Sequence, residues 1–384
     1  MGLFALLWLL LWVPVVIVIH EAGHAVAAYP AGFFLTSFGV GHGRPLISHR
    51  GNNGSLFYIG RWVFAGGACV AVPRDLERGP RAAIYHGGGI AAQLVLAGLL
   101  ALLPDDLWWV DPVRRFNLLV MLWNLLPWRL GGRTSDGHQL LTNLLRGRLF
   151  EQPVFAGRAA LRRLLRFEED LHSPVGTWYC QLLLAWADVM TGQTDNDFFL
   201  RDHPVSVLDP ALDALQQHVM CEWHRACGRP LAALQAIEQL QRAHGAALPM
   251  ASADLIALDE ARAYVDLGET QRARAALSRL AGVSGRFGDE ARIITLQIAL
   301  TEDTPDQIAA ATERIFTRGL LDPPAAAIAL WDAADALADR QDPEPLRKQA
   351  RALSARLLAF AEPTDRAPLL RRIGPAAGLK PSPL

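Results

Sequence analysis

Residues 3–30 read LFALLWLLLWVPVVIVIHEAGHAVAAYP, an apolar run from Leu3 to Ile19 that passes without a break into His20-Glu21-Ala22-Gly23-His24. On an α-helix His20 and His24 lie four residues apart, so both imidazoles leave one face about 6 Å apart along the axis, a separation one Zn²⁺ can bridge. Glu21 stands about 100° round the helix, close enough to reach a water on such an ion.

His-Glu-x-x-His is the pattern of a zinc peptidase helix with glutamate as general base. Five letters can arise by chance, but their address matters: two histidines and a glutamate at lipid depth are costly unless they meet a metal, water or one another. The competing reading is a secretory signal peptide cleaved after Ala25-Val26-Ala27. That reading wants a positively charged start, and Met1-Gly2 offers only the terminal amine.

At 384 residues the chain has room for two or three domains, and its 51% apolar content hides a division. Residues 1–150 hold twelve Arg and no Lys against seven carboxylates, a net of +5, which leaves −6 for the remainder of a chain whose total is −1. The first part carries the long apolar runs; the second is Ala, Leu, Arg and Glu at helical spacing. These patterns predict a membrane domain over 1–150, a soluble helical domain over 151–365, and a loose Pro/Gly-rich tail over 366–384. Cys69, Cys180, Cys221 and Cys227 form no paired framework, which points to a reducing compartment. Neither part is basic enough for a nucleic-acid partner.

Three membrane segments are expected: Leu3 to about Tyr29, Ala82 to Leu103, and Val113 to Trp128, the last begun by Arg114 and Arg115 snorkelling to the surface. Pro14 can kink the first, which membrane helices tolerate. Trp108 and Trp109 belong at an interface. Between the first two segments, short β-prone runs cut by glycine, with Asn52-Asn53-Gly54 as a turn, predict a small juxtamembrane sheet over 33–73. An edge of it could pair with an extended substrate, and a plain surface meander is an equal alternative. Arginines flank the first and third segments (Arg44, Arg50, Arg61, Arg74, Arg78, Arg81; Arg129, Arg133, Arg146, Arg148), while the 104–112 turn carries Asp105, Asp106 and Asp111. Positive-inside then places the end of the first helix, the sheet and everything after Pro127 in the cytoplasm.

The third segment closes with Asn124-Leu125-Leu126-Pro127, followed by Gly131-Gly132 and Ser135-Asp136-Gly137-His138. Ser135 or Asp136 would cap a new helix to about Leu149. By orientation, Asp136 emerges on the same side as His24. Two His and one carboxylate, with a fourth position left to water, form a catalytic rather than a structural zinc shell.

These residues resemble the site-2 proteases, the intramembrane zinc peptidases of family M50. His20-Glu21-Ala22-Gly23-His24 matches their first motif, and Asn124-Leu125-Leu126-Pro127 with Asp136-Gly137 their third. Gly89-Ile90-Ala91-Ala92-Gln93 departs from the Gly-Pro-x-x-Asn pattern of the second at Ile90 and Gln93, and Asn124 to Asp136 is longer than the common spacing. The resemblance spans roughly residues 10–145. It implies His20, His24 and Asp136 as ligands of one catalytic Zn²⁺, Glu21 as base, Asn124 beside the substrate strand, and a membrane-protein substrate cut in or near its transmembrane helix. His86 and His138 are further candidates for a carbonyl partner, with a cap or surface contact as the plainer reading for both.

In the second part, Ala261–Leu277 reads as helix, turn, helix about Gly268, and Cys221–Ile237 repeats the shape about Gly228. Thr301-Glu302-Asp303 and Arg340-Gln341-Asp342 read as later turns. This resembles tetratricopeptide-type repeats, which stack into a groove for a peptide or protein. His218, Cys221, His224 and Cys227 recur at three-residue steps, but nine helical residues extend about 13.5 Å, too far for one ion, so they read as packing. The fold class expected is mainly α: a polytopic membrane core with a small sheet, then a soluble TPR-like domain. The localisation expected is the inner (plasma) membrane, multi-pass, with a cytoplasmic C-terminal domain. The alternative function is a catalytically inactive, membrane-anchored scaffold whose repeats bind protein.

Overall fold

The computed structural model describes residues 2–74, 80–104, 106–130, 133–146, 154–195, 209–313, 315 and 320–377, and it is mainly helical with a small sheet. The apolar run forms α1, Gly2–Ala28, with Pro14 inside it. Gly32, at φ 73°, turns the chain into β1, Phe33–Arg50. The Asn52-Asn53-Gly54 turn leads into β2, Leu56–Pro73, with Gly54 at φ 85° and the Gly51 amide donating to Ser55 O at 2.8 Å. The strands pair antiparallel from Phe33 opposite Pro73 to Arg50 opposite Leu56. Both bend where glycine is frequent, so Ser37–Val40 gain Leu56–Ile59 as neighbours on their other side.

Helix α2, Pro80–Ala101, crosses α1 closely enough that glycine is required. A Cβ on Gly23 would sit 2.2 Å from Gly88 O, and one on Gly88 would sit 2.4 Å from Gly23 O. Water-driven burial does not hold helices together inside lipid, and close packing of small residues does so instead. Helix α3, Val110–Leu125, a hairpin of β3 (Arg129–Leu130) and β4 (Arg133–Thr134), and α4, Asp136–Arg146, follow.

Two helices among the described residues are long and apolar enough to cross a membrane, Leu7–Ala28 and Arg81–Ala101. The third expected span, Val113 to Trp128, is not among them: α3 has 16 residues, about 24 Å at 1.5 Å each, against a hydrocarbon core of about 30 Å. Arg114 does not snorkel. Its guanidinium donates to Leu100 O in the last turn of α2 and to Leu103 O just beyond it, at 2.7–2.9 Å. Trp109 stacks on Trp12 of α1, and Trp108 and Trp109 meet Trp8 at steep angles, at centroid distances of 5.8–6.0 Å. Arg78, Asp105, Gly131, Gly132, Arg148 and Leu149 lie outside the described residues.

Two compact units divide the chain, Met1–Leu149 with Arg163–Tyr179, and Phe150–Arg162 with Cys180–Leu384. The single boundary expected at 150 is therefore corrected, because α5 (Arg158–Asp170) and α6 (Pro174–Met190) each run across the division. The sheet is the cause. Glu168 is fully buried and accepts hydrogen bonds from the Thr36 and Ser37 hydroxyls at 3.3 and 3.1 Å. Burial raises its carboxyl pKa. Leu171 packs with Leu56 and Tyr58.

The second unit contains α7 (Pro210–Ala226), α8 (Pro230–His244), α9 (Met250–Asp266), α10 (Thr270–Ser278), α11 (Gly285–Thr301), α12 (Pro305–Thr312), α13 (Pro323–Ala336), α14 (Glu344–Phe360) and α15 (Pro363–Ile373). Consecutive pairs pack as hairpins. Left-handed residues make the first three turns: Gly228 at φ 69°, Gly268 at φ 74° and Asp303 at φ 47°. The expected loose tail from Arg366 is corrected, since Leu369 and Ile373 of α15 are fully buried; residues 378–384 lie outside the description.

His218, Glu222 and Asp259 converge in this unit, but a cation is already present among them. Arg262 lies 3.1 Å from Glu222 and 3.6 Å from Asp259 and also pairs with Glu290. His218 Nδ1 meets Asp259 at 2.9 Å, and Cys221 is buried against Ala233 O. Removing one partner of such a buried network costs about 3–5 kcal/mol. Arg262→Ala should therefore lower the thermal midpoint of the full chain by many degrees. Gly88→Val should destabilise the first unit by about 1–3 kcal/mol or more through overpacking, read as earlier aggregation on heating in detergent.

Candidate metal centre

The helical periodicity of α1 puts His20 and His24 on the face that α2 covers, where they are 7% and 5% exposed. Their Nε2 atoms lie 3.2 Å apart. Asp136 Oδ2 completes a triangle, 2.9 Å from His20 Nε2 and 3.2 Å from His24 Nε2. A tetrahedral zinc ion bound about 2.0–2.1 Å from its ligands separates them by about 3.3 Å. The spacing found fits one face of that tetrahedron and leaves the fourth vertex free.

The ring protons support the same fit. His20 Nδ1 donates to Gln93 Oε1 at 3.1 Å, and His24 Nδ1 donates to Tyr85 O at 2.8 Å. With each Nδ1 proton committed outward, both Nε2 lone pairs point inward at a carboxylate oxygen, an arrangement that repels itself unless a cation sits between.

Asp136 arrives by a route that the sequence left open. Ser135, not Asp136, caps α4: its Oγ accepts from the His138 amide at 3.1 Å and donates to Leu126 O at 2.6 Å. That frees the Asp136 carboxylate to face α1. The long interval after Asn124 is taken up by the β3–β4 hairpin, and the Ser135 amide returns to Trp128 O at 3.1 Å. Gly137 then sits so close over α3 that a Cβ would fall 1.8 Å from Leu125 O. The Asp-Gly pair is thus one carboxylate and the clearance that lets it dock.

Glu21 lies beside β2. A Cβ on Gly67 would be 2.8 Å from Glu21 Cγ, and the Cys69 amide is hydrogen-bonded to the Glu21 carboxylate. Tyr85 ties the same strand to the histidines, since its hydroxyl donates to Cys69 O at 2.5 Å while its carbonyl holds His24. His86 Nδ1 stands 4.0 Å from the other oxygen of Asp136. Asn124 occupies the last turn of α3, with its carbonyl near Gly137. Among the described residues its side chain enters none of the hydrogen bonds around the two histidines and Asp136. His138 contributes its amide to the Ser135 cap and stays at the periphery.

Gln93 and Gly89 were the residues that pattern reading undervalued. Gln93 is fully buried and its carbonyl accepts from Asn117 Nδ2 at 3.0 Å, which anchors it to α3. A Cβ on Gly89 would lie 2.5 Å from His24 Nε2 and 2.6 Å from His20 Cε1, so only glycine clears the imidazoles. The Gly89…Gln93 spacing of one helical turn was the available signal.

Residues 8–108 match the family model of peptidase family M50, a family of zinc-dependent membrane metallopeptidases. The match takes in α1, the sheet and α2 and stops short of Asn124 and Asp136. No curated protein and no solved structure matches the chain. Gln93→Leu should weaken zinc binding about 10–100-fold by freeing the His20 ring, measured by competition with a chromogenic chelator, with the fold retained.

Proposed function

We propose that the chain is an intramembrane zinc-dependent endopeptidase, cutting a peptide bond in or near the transmembrane helix of a membrane-protein substrate. The observation that carries this reading is the triangle of His20 Nε2, His24 Nε2 and Asp136 Oδ2, with sides of 2.9–3.2 Å. Similarity of residues 8–108 to family M50 supports it.

In this reading His20, His24 and Asp136 hold one zinc ion, which when bound supplies Lewis acidity to water and to the scissile carbonyl. Glu21 takes a proton from the attacking water on its carboxylate and delivers it to the departing amide nitrogen. The Cys69 amide fixes that carboxylate beside β2. Gln93 and Tyr85 hold the imidazoles so that both Nε2 atoms stay aimed at the ion. An extended substrate lies along the β2 segment that passes Glu21, with Asn124 near it at the end of α3. Substrate helices weakened by Gly, Pro or polar residues are preferred, because a helical peptide bond must give up its hydrogen bonds before attack.

The proposal places the chain in the inner (plasma) membrane as a multi-pass protein with its helical hairpins in the cytoplasm. There the TPR-like unit receives a protein or peptide. A cavity of about 500 Å³ lined by Arg225, Arg372, Glu222, Asp266 and Asp322 is one place for it.

Glu21→Gln should abolish cleavage of a reconstituted transmembrane substrate while leaving zinc content and thermal midpoint unchanged. Phenanthroline should abolish cleavage by the parent chain, and added Zn²⁺ should restore it. Turnover by Glu21→Gln at the parent rate, or cleavage by metal-free protein, would overturn this reading, and a zinc-loaded parent chain that cleaves nothing would replace it with the membrane-anchored scaffold.

A further inference from the structure

The sheet carries charge that no part of the zinc chemistry uses. Residues 33–73 contain Arg44, Arg50 and Arg61 and no Asp or Glu. Neither Arg44 nor Arg50 has an ion-pair or hydrogen-bond partner for its side chain among the described residues. Both border one cavity of about 350 Å³, with Ser48 on the same strand, Leu56 and Leu171 behind it, and His172 at its rim. His172 is held in a left-handed conformation, φ 56°, by the turn that ends α5, which leaves its ring exposed.

Two guanidiniums, which can only donate, with an imidazole and a hydroxyl that can each donate as well, surround one hollow free of carboxylates, and the ligand it suits is a doubly ligated phosphate or other oxyanion. The surroundings indicate which phosphate. Leu46 and Ile47, between the two arginines, are 64% and 65% exposed. Ile59, opposite Ile47 in the register, is also exposed, and Trp62 on the same hairpin is 66% exposed. Cations interleaved with bare aliphatic and tryptophan side chains are the pattern of a surface that lies in a bilayer interface. The sheet reaches that depth through α1, since Gly67 of β2 packs directly on Ile17 and Glu21. A free phosphate would account for the arginines but not for the apolar side chains between them.

We propose that the Arg44–Arg50 cavity seats the headgroup phosphate of an anionic phospholipid, with Leu46, Ile47 and Trp62 resting in the glycerol and upper acyl region. This goes beyond peptidase activity and needs none of it. The bound lipid fixes the outer half of the sheet against the membrane.

The test is native mass spectrometry of the full chain in neutral detergent, titrated with phosphatidylglycerol or with phosphatidylcholine. The parent chain should retain one phosphatidylglycerol in preference to phosphatidylcholine, and Arg44→Gln/Arg50→Gln should lower that retention about tenfold or more. Arg44→Lys/Arg50→Lys should recover part of it, and Arg115→Gln, at an exposed pair with Asp111 on α3, should leave it unchanged. Zinc content, read on the same samples, should be equal in all. Equal lipid retention by the double Gln variant overturns the proposal. Displacement of the lipid by inorganic phosphate at matched concentration overturns it in favour of a free-anion site.

Discussion

The close crossing of α1 and α2 is the constraint on which the rest of the site depends. Gly23 and Gly88 bring two backbones together at a distance no side chain permits, and Gly89, one residue on, opens the space the imidazoles fill. Only at that separation can Gln93 and the Tyr85 carbonyl on α2 reach the Nδ1 atoms of histidines on α1. The fold and the donor geometry are therefore one requirement. Within lipid, where apolar surfaces have no reason to prefer one another over acyl chains, small residues and a few well-made hydrogen bonds decide which helices meet.

Asp136 depends on the same economy of space. It follows a cap that satisfies the start of α4 with Ser135, and it precedes a glycine that lets α4 rest on the end of α3. The extra residues after Asn124 are folded out as a small hairpin, so a long interval in sequence becomes a short one in space. Length between motif residues is thus a poor measure of whether they converge. The ends of the two helices are what fix the carboxylate.

The two compact units solve the problem of buried polarity differently. In the first, buried polar groups serve the histidines or hold the sheet, as Glu168 does with Thr36 and Ser37. In the second, Arg262 neutralises Glu222 and Glu290 and lies beside Asp259, so that three acidic side chains on three helices share one guanidinium. A cluster of His, Glu and Asp looks the same in sequence in either setting. The arginine at the centre of one and the pair of bare nitrogens at the centre of the other tell them apart.

The sequence by itself determined the features that follow from local periodicity and turn chemistry. These are an apolar helix presenting His20 and His24 on one face, a hairpin at Asn52-Asn53-Gly54, helix turns at Gly228 and Gly268, and an aspartate on the right side to meet the histidines. It did not show how α3 begins, because an apolar run read without its neighbours does not reveal that Arg114 donates to the Leu100 carbonyl at the end of α2. It took α15 for a loose tail, because Pro and Gly content says nothing of where Leu369 and Ile373 find a core. The tertiary structure alone decided that Ser135 rather than Asp136 is the cap, that Gln93 steadies His20, and that α5 crosses from one unit to the other. Each of those depends on closure between segments tens of residues apart. No short-range pattern encodes such a distance; it is settled only when backbones pack to the limit their smallest residues allow.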